Sequence, residues 1–144
     1  MSFNELFFPV VTSAILSQGI KVALHFWNHQ NVDLSLLLFE PGGMPSTHAA
    51  MATALTTTLY LIKADTSVFA VALLFSLIVM ADAVGVRREA GETARRINQM
   101  IQVLRSVKKR GVTKVREVLG HTPLQVAGGI VLGMLVALFF FSYF

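Results

Sequence analysis

Apolar residues in this chain fall into long blocks separated by short polar passages. Residues 6–27 form an apolar block interrupted by Gln18 and Lys21. At about 1.5 Å per residue they are long enough to cross a hydrocarbon core of roughly 30 Å. Residues 34–39 form a short apolar run between a polar start at His29 and Glu40-Pro41-Gly42-Gly43. That run is too short to span and is expected as a re-entrant or interfacial piece. Residues 49–62 are rich in Ala and Thr and read as a helix packed on its neighbours through small residues. Lys63-Ala64-Asp65-Thr66 reads as a tight turn, residues 67–86 as the cleanest span, and residues 124–144 as the last. The last carries Gly129-x-x-x-Gly133, a close-packing pattern of membrane helices that suits either an internal or an intersubunit contact.

Residues 87–121 follow a different rule. Ala90, Ala94, Ile97, Ile101 and Leu104 recur at helical steps, and Arg95, Arg96 and Arg105 lie between them. This predicts an amphipathic helix that lies on the membrane surface or pairs with a partner helix, with the surface favoured. Gly111 is expected to break it, and residues 113–119 to form a short second helix stopped by Gly120.

Composition turns this pattern into a class. Of 144 residues, 54% are hydrophobic and 14% charged, and the mean hydropathy is +0.65. A soluble domain of this size needs far more polar surface. The expectation is an all-α integral membrane bundle, a single domain over residues 1–144. It has about four transmembrane helices and an amphipathic helix on the cytoplasmic side. Residues 1–6 lack Lys and Arg, so the first segment is read as retained rather than as a cleaved signal. The absence of cysteine excludes disulfides and thiolate metal sites. Ten of the twelve Lys and Arg lie between Arg87 and Arg116. The positive-inside rule assigns that loop to the cytoplasm, with residues 29–47 on the same side and both termini outside. Membrane orientation accounts for the basic loop, so no nucleic-acid partner is expected.

Three polar clusters then fall at span ends on the basic side: Gly42-Gly43-Met44-Pro45-Ser46-Thr47-His48, Asp82-Ala83-Val84-Gly85-Val86-Arg87-Arg88, and Gly120-His121-Thr122-Pro123. Lys21 sits in the same half of the first span, and an up-down bundle brings all four places together. Two helix N-termini, Lys21, Arg87 and Arg88 would suit a phosphate. Two histidines can divide phosphoryl transfer, one attacking phosphorus and the other protonating the leaving oxygen. No metal is then required if the cationic side chains hold the developing charge. Plainer roles stand beside these. Thr122 and Gln125 read as a capping box with Pro123 at the first helical position. Pro45-Ser46 likewise starts a helix. Lys21 can snorkel to the headgroups, and Arg87 and Arg88 can be surface anchors. Asp82 is expected to have a basic partner. His25 and His29 are read as interfacial residues beside Trp27.

The three clusters, in this order and spacing, resemble the divergent type-2 phosphatidic acid phosphatase family, related to acid phosphatases and vanadium haloperoxidases. The likeness runs from Lys21 to the end of the chain. It implies a helical membrane phosphatase that acts without metal or other cofactor. Pro45-Ser46-Thr47-His48 matches the superfamily's Pro-Ser-Gly-His motif, with Thr47 in place of Gly, and so marks His48 as the acid/base. His121, placed before the last helix, matches the nucleophile that becomes phosphorylated. The superfamily's basic phosphate-binding motif precedes both histidines. Here only Lys21 does, and Arg87-Arg88 lies between them. The superfamily also carries an acid four residues after the nucleophile, where this chain has Gln125.

With the cytoplasmic placement of the basic loop, the resemblance leads to an expected hydrolysis of a lipid phosphate monoester or diphosphate at the cytoplasmic face, and a bacterial membrane is expected. Phosphatidylglycerophosphate, phosphatidic acid or a polyprenyl diphosphate would suit. His121 and His48 are catalytic, and Asp82 is the candidate to orient His121. Lys21, Arg87, Arg88, Ser46 and Thr47 bind phosphate. Membrane lipids are the partners, and a homodimer is expected because four short helices barely enclose a site. The alternatives are a lipid-phosphate-binding or scaffold protein without turnover, which Gln125 allows, and a small transporter subunit.

Overall fold

The computed structural model describes residues 3–28, 43–108, 113–115, 117 and 120–143. Their helices are α1 (Phe3–Asn28), α2 (Thr47–Leu61), α3 (Thr66–Val84), α4 (Val86–Lys108) and α5 (Pro123–Phe141). Three helical stretches are long and apolar enough to cross a membrane: Asn4–Trp27, Thr66–Leu104 and Pro123–Phe141. The apolar run at 34–39, Gly42 and His29 lie outside the described residues.

The fourth helix of the bundle is short. The 15 residues of α2 give a rod of about 22 Å, less than a full hydrocarbon thickness. It packs against α1, α3 and α5, and its small residues Ala49, Ala50, Ala52, Ala54 and Thr53 are buried. The long helices instead turn apolar side chains outward. Ile15, Leu74, Leu135 and Phe139 are all more than half exposed. Water would not tolerate such a surface over a whole bundle, whereas acyl chains cover it without cost. The chain is an integral membrane helical bundle.

Local contacts fix the direction of each helix. Gly129 and Gly133 of α5 lie against α2. A Cβ on Gly129 would come within 2.4 Å of the Ser46 carbonyl oxygen, and one on Gly133 within 2.3 Å of the Ala50 carbonyl oxygen. The equal steps of four make α2 and α5 parallel. The Gly129-x-x-x-Gly133 face is therefore used inside the chain. Ser76 Oγ of α3 lies 2.7 Å from Thr56 Oγ1 and donates to the Ala52 carbonyl at 3.0 Å, joining α3 to the middle of α2. The turn between α2 and α3 forms where the sequence predicts it. Lys63 takes a positive φ of 51°, and Asp65 caps α3 by accepting from the Ser67 N–H at 2.8 Å. The C-terminal ends of α1 and α3 thus meet the N-terminal ends of α2 and α5. Ala49, Ala83 and Val126 form a buried cluster just beneath that end.

Gly85 ends α3, and α4 begins at Val86. Its amphipathic character is as expected, but its buried stripe is displaced. Ala90, Ile97 and Leu104 are exposed, and the buried positions are Gly91, Ala94, Asn98 and Ile101. The second helix expected over 113–119 is not formed at its described positions. Residues 113–115 and 117 are non-helical, and Val115 exchanges backbone hydrogen bonds with the Asn98 side chain instead of with a helical turn.

Candidate active site

The meeting of four helix ends makes a polar recess above the Ala49–Ala83–Val126 cluster. Two inter-helix backbone bonds hold it. The Ser46 N–H donates to the Gln125 carbonyl at 2.9 Å, and the His121 N–H donates to the Ala83 carbonyl at 3.1 Å. The residue preceding α2 is therefore tied to the first turn of α5, and His121, just before α5, to the end of α3.

His121 is 6% exposed. Its Nδ1 lies 3.3 Å from Gln125 Oε1. The same oxygen accepts the Thr122 N–H at 2.9 Å, while Thr122 Oγ1 accepts the Gln125 N–H at 3.3 Å. Gln125 thus closes the predicted capping box and orients the imidazole with one atom. The backbone of Gly43 also acts on the ring. Burial pushes the His121 pKa below the ordinary histidine value. The Gln125 bond and the Gly43 backbone oppose that shift, and the nearby charges of Lys21 and His48 add to it. At neutral pH the ring is uncharged, as a nucleophile requires.

This shift has a testable sign. Unfolded His121 takes up its proton near pH 6.5, and folded His121 only at lower pH. Between those points protonation favours the unfolded chain. The contribution is complete above the unfolded value and is lost as pH falls through the folded one. Thermal melts of the wild type and His121→Gln should therefore differ in pH dependence only on the acidic side of the ordinary histidine value. Parallel curves there would refute the assignment.

Lys21 reaches the same recess from α1. Its Nζ donates to Thr47 Oγ1 at 2.9 Å, and its stem passes Gly43, where an added Cβ would meet Lys21 Cγ at 3.7 Å. Thr47 Oγ1 also lies 3.0 Å from Ser17 Oγ and donates to Gln18 Oε1 at 3.2 Å. Ser17 is fully buried and reaches the Pro45 carbonyl at 3.1 Å. Of these, the sequence reading marks Gln18 only as a polar interruption and passes over Ser17, although both lie one turn before Lys21 on its face of α1. His48 is exposed in the first turn of α2. The charges of Arg87, Lys21 and Asp82 all act on it.

Three of the expected site residues, the orienting candidate Asp82 and the phosphate ligands Arg88 and Ser46, have partners of their own. Asp82 forms an ion pair with Arg87 rather than a bond to His121; Gln125 occupies that position. Arg88 Nε turns along α4 to Glu92 Oε1 at 3.2 Å, one helical turn on. Ser46 is fully buried and serves the helix junction. Its N–H goes to Gln125, and its Oγ accepts the Ala49 N–H at 3.4 Å as the cap of α2. Its polar groups are committed before any phosphate arrives. Among the described residues no His, Asp and Glu group forms a metal cluster.

The family model described as Divergent PAP2 family matches residues 2–136. The chain belongs to the divergent PAP2 family. That match includes every residue of the recess, from Ser17 to Gln125. A divergent PAP2 chain of this length also has a near full-length relative in a bacterium. The uncharacterized membrane protein YuiD of Bacillus subtilis (strain 168) is 38% identical over 152 aligned positions, covering 95% of this chain and 96% of YuiD. No solved structure matches the chain.

Proposed function

We propose that this protein is a metal-independent phosphatase for a lipid phosphate, working at the cytoplasmic face of a bacterial membrane. The observation that carries this reading is the buried imidazole of His121, held by Gln125 and acted on by the charges of Lys21 and His48. With Nδ1–H directed to Gln125, Nε2 keeps its lone pair. It attacks phosphorus in line as the bond to the lipid oxygen breaks, and His48 donates a proton to that leaving oxygen. The Gly43 backbone stabilises the positive charge that grows on the ring. His48 then takes a proton from water, whose oxygen displaces Nε2 and releases phosphate. Lys21, Arg87 and the Thr47 and His48 amides at the start of α2 hold the non-bridging oxygens. Thr47 keeps Lys21 in place. Ten of the twelve basic residues follow the third helix, which supports the cytoplasmic orientation.

The deciding assay is phosphate release by the purified protein in detergent with EDTA. Phosphatidylglycerophosphate, phosphatidic acid and polyprenyl diphosphates form the substrate panel. Release that survives EDTA supports the reading, and its absence from every lipid defeats it.

One observation favours a second reading, a lipid-phosphate-binding protein with little or no turnover. Gln125 is neutral, and an amide stabilises an imidazolium less than a carboxylate does. Gln125→Glu separates the two. It should raise kcat by about tenfold or more if charge behind the ring limits the reaction. An unchanged or lower kcat in a folded variant would show that the amide is not the limiting feature. The transporter alternative is weaker. His48, His121, Lys21, Asp82 and Arg87 gather at one end of the bundle. The deeper side chains Ser13, Thr56 and Ser76 are bonded to helix carbonyls.

A further inference from the structure

The chemistry above leaves unused the buried amide of α4. Asn98 is 5% exposed, on the stripe with Ala94 and Ile101. Its Nδ2 donates to the Val115 carbonyl at 2.7 Å and to Glu117 Oε1 at 2.7 Å. Its Oδ1 accepts the Val115 N–H at 2.8 Å. Both Asn98 donors and its acceptor are thus matched, and an apolar replacement would strand both polar groups of the Val115 backbone. The chain held in this way is the one that leads into His121. At the other end of α4, Gly120 packs on the helix backbone. A Cβ there would lie 2.4 Å from the Arg88 nitrogen and 2.7 Å from the Arg87 carbonyl carbon. The next residue is His121, whose N–H is bonded to Ala83.

The approach to His121 is therefore attached to α4 at two places. Glu117 stands four residues before His121 in the chain, so the clamp acts on the backbone that leads directly into the imidazole.

We infer that Asn98 is a positioning residue for His121: by clamping Val115 and Glu117 to α4, it holds the ring in register with Gln125 and Gly43. Its effect on turnover rests on the phosphatase reading, but its effect on the environment of the ring does not. The clamp also accounts for the displaced stripe of α4. A polar residue faces inward there because its partner is a backbone segment, not an apolar neighbour.

Asn98→Asp tests this with little change in size. It keeps an acceptor for the Val115 N–H but sets a carboxylate oxygen against the Val115 carbonyl and the Glu117 carboxylate. Adding Glu117→Gln returns one donor to the clamp. The full-length protein in detergent is treated with diethyl pyrocarbonate across a pH series, and modification of His121 is followed by peptide mass spectrometry. Phosphate release from phosphatidic acid is measured in parallel. With Asn98→Asp, His121 should react several times faster and its pH midpoint should move up towards the ordinary histidine value. The kcat should fall by about tenfold or more with KM little changed. The double variant should recover part of each change, which a generally weakened fold would not do. Glu117→Ala removes a single bond and remains informative if Asn98→Asp does not fold. It should raise the reactivity of His121 by a smaller factor. Wild-type reactivity and midpoint in both variants, or in Glu117→Ala alone if the other is unfolded, would overturn the inference. If the wild type releases no phosphate, the phosphatase reading fails, and the reactivity of His121 still decides the role of Asn98.

Discussion

His121→Ala is expected to abolish EDTA-resistant phosphate release while leaving the bundle folded. In the proposed scheme Nε2 of His121 makes the bond to phosphorus, and no other described side chain has the same setting. His48 is exposed and lies in the first turn of α2. It has the access an acid/base needs but lacks the burial and the oriented amide of His121. Losing a nucleophile should lower kcat by about 10⁶-fold, whereas losing a proton donor alone removes about 10²–10⁴-fold. The variant should still fold because Gln125 keeps its second role. Without the imidazole, Oε1 continues to accept the Thr122 N–H, and the capping box of α5 stays closed. The His121 N–H bond to Ala83 is a backbone contact and survives as well. Wild type quenched in alkaline denaturant should carry phosphate on residue 121 during turnover, and His48→Ala should accumulate it if the second step slows more than the first. Undiminished release by a correctly folded His121→Ala protein would remove this residue from the chemistry.

The sequence reading reached the helices by hydropathy and the recess by motif, and it stopped where the answer depended on partners. The spans at 6–27, 67–86 and 124–144 are legible because an apolar block of that length has few alternatives in a chain this rich in hydrophobic residues. The α4 helix is legible by period, but its buried stripe is not. A period near 3.6 fits two adjacent stripes, and Gly91 and Asn98 carry no apolar signal. Only the bonds from Asn98 to Val115 and Glu117 choose between them. The same limit applies in the recess. Asp82, Arg87 and Gln125 are all visible as candidates, yet the sequence does not say that Asp82 goes to Arg87 and Gln125 to His121. Ser46 and Thr47 stand side by side in one motif and face different tasks. The first is buried in a helix junction, and the second holds Lys21.

Alanine at Gly133 should cost more stability than any surface change in the protein, although the position is nearly three helical turns from the start of α5. A Cβ there would stand 2.3 Å from the Ala50 carbonyl oxygen, 2.9 Å from the Ala54 nitrogen and 3.0 Å from Thr53 Cβ. Two of those atoms are helix backbone and cannot rotate away, so α2 and α5 must separate. Overpacking of this kind costs about 1–3 kcal/mol. Gly129→Ala meets the Ser46 carbonyl oxygen at 2.4 Å and Ala49 Cβ at 2.9 Å, and it should cost a similar amount. The two share one interface, so their effects should not add simply. Gly19→Ala is the control, because nothing lies within 4 Å of a Cβ placed there. In a helix interior it should be neutral or should stabilise by about 0.5–1 kcal/mol. Melting in detergent measures all three. A Gly133→Ala protein as stable as the wild type would mean that α2 and α5 do not pack this closely. The consequence also reaches the chemistry. Separating α5 from α2 pulls Gln125 away from the Ser46 N–H and moves His121 relative to Lys21 and His48. A misplacement of about 1 Å costs roughly 10²-fold in rate. Gly129→Ala lies one turn from Gln125, so it should lose more activity than its melting temperature alone accounts for, and Gly133→Ala should lose less.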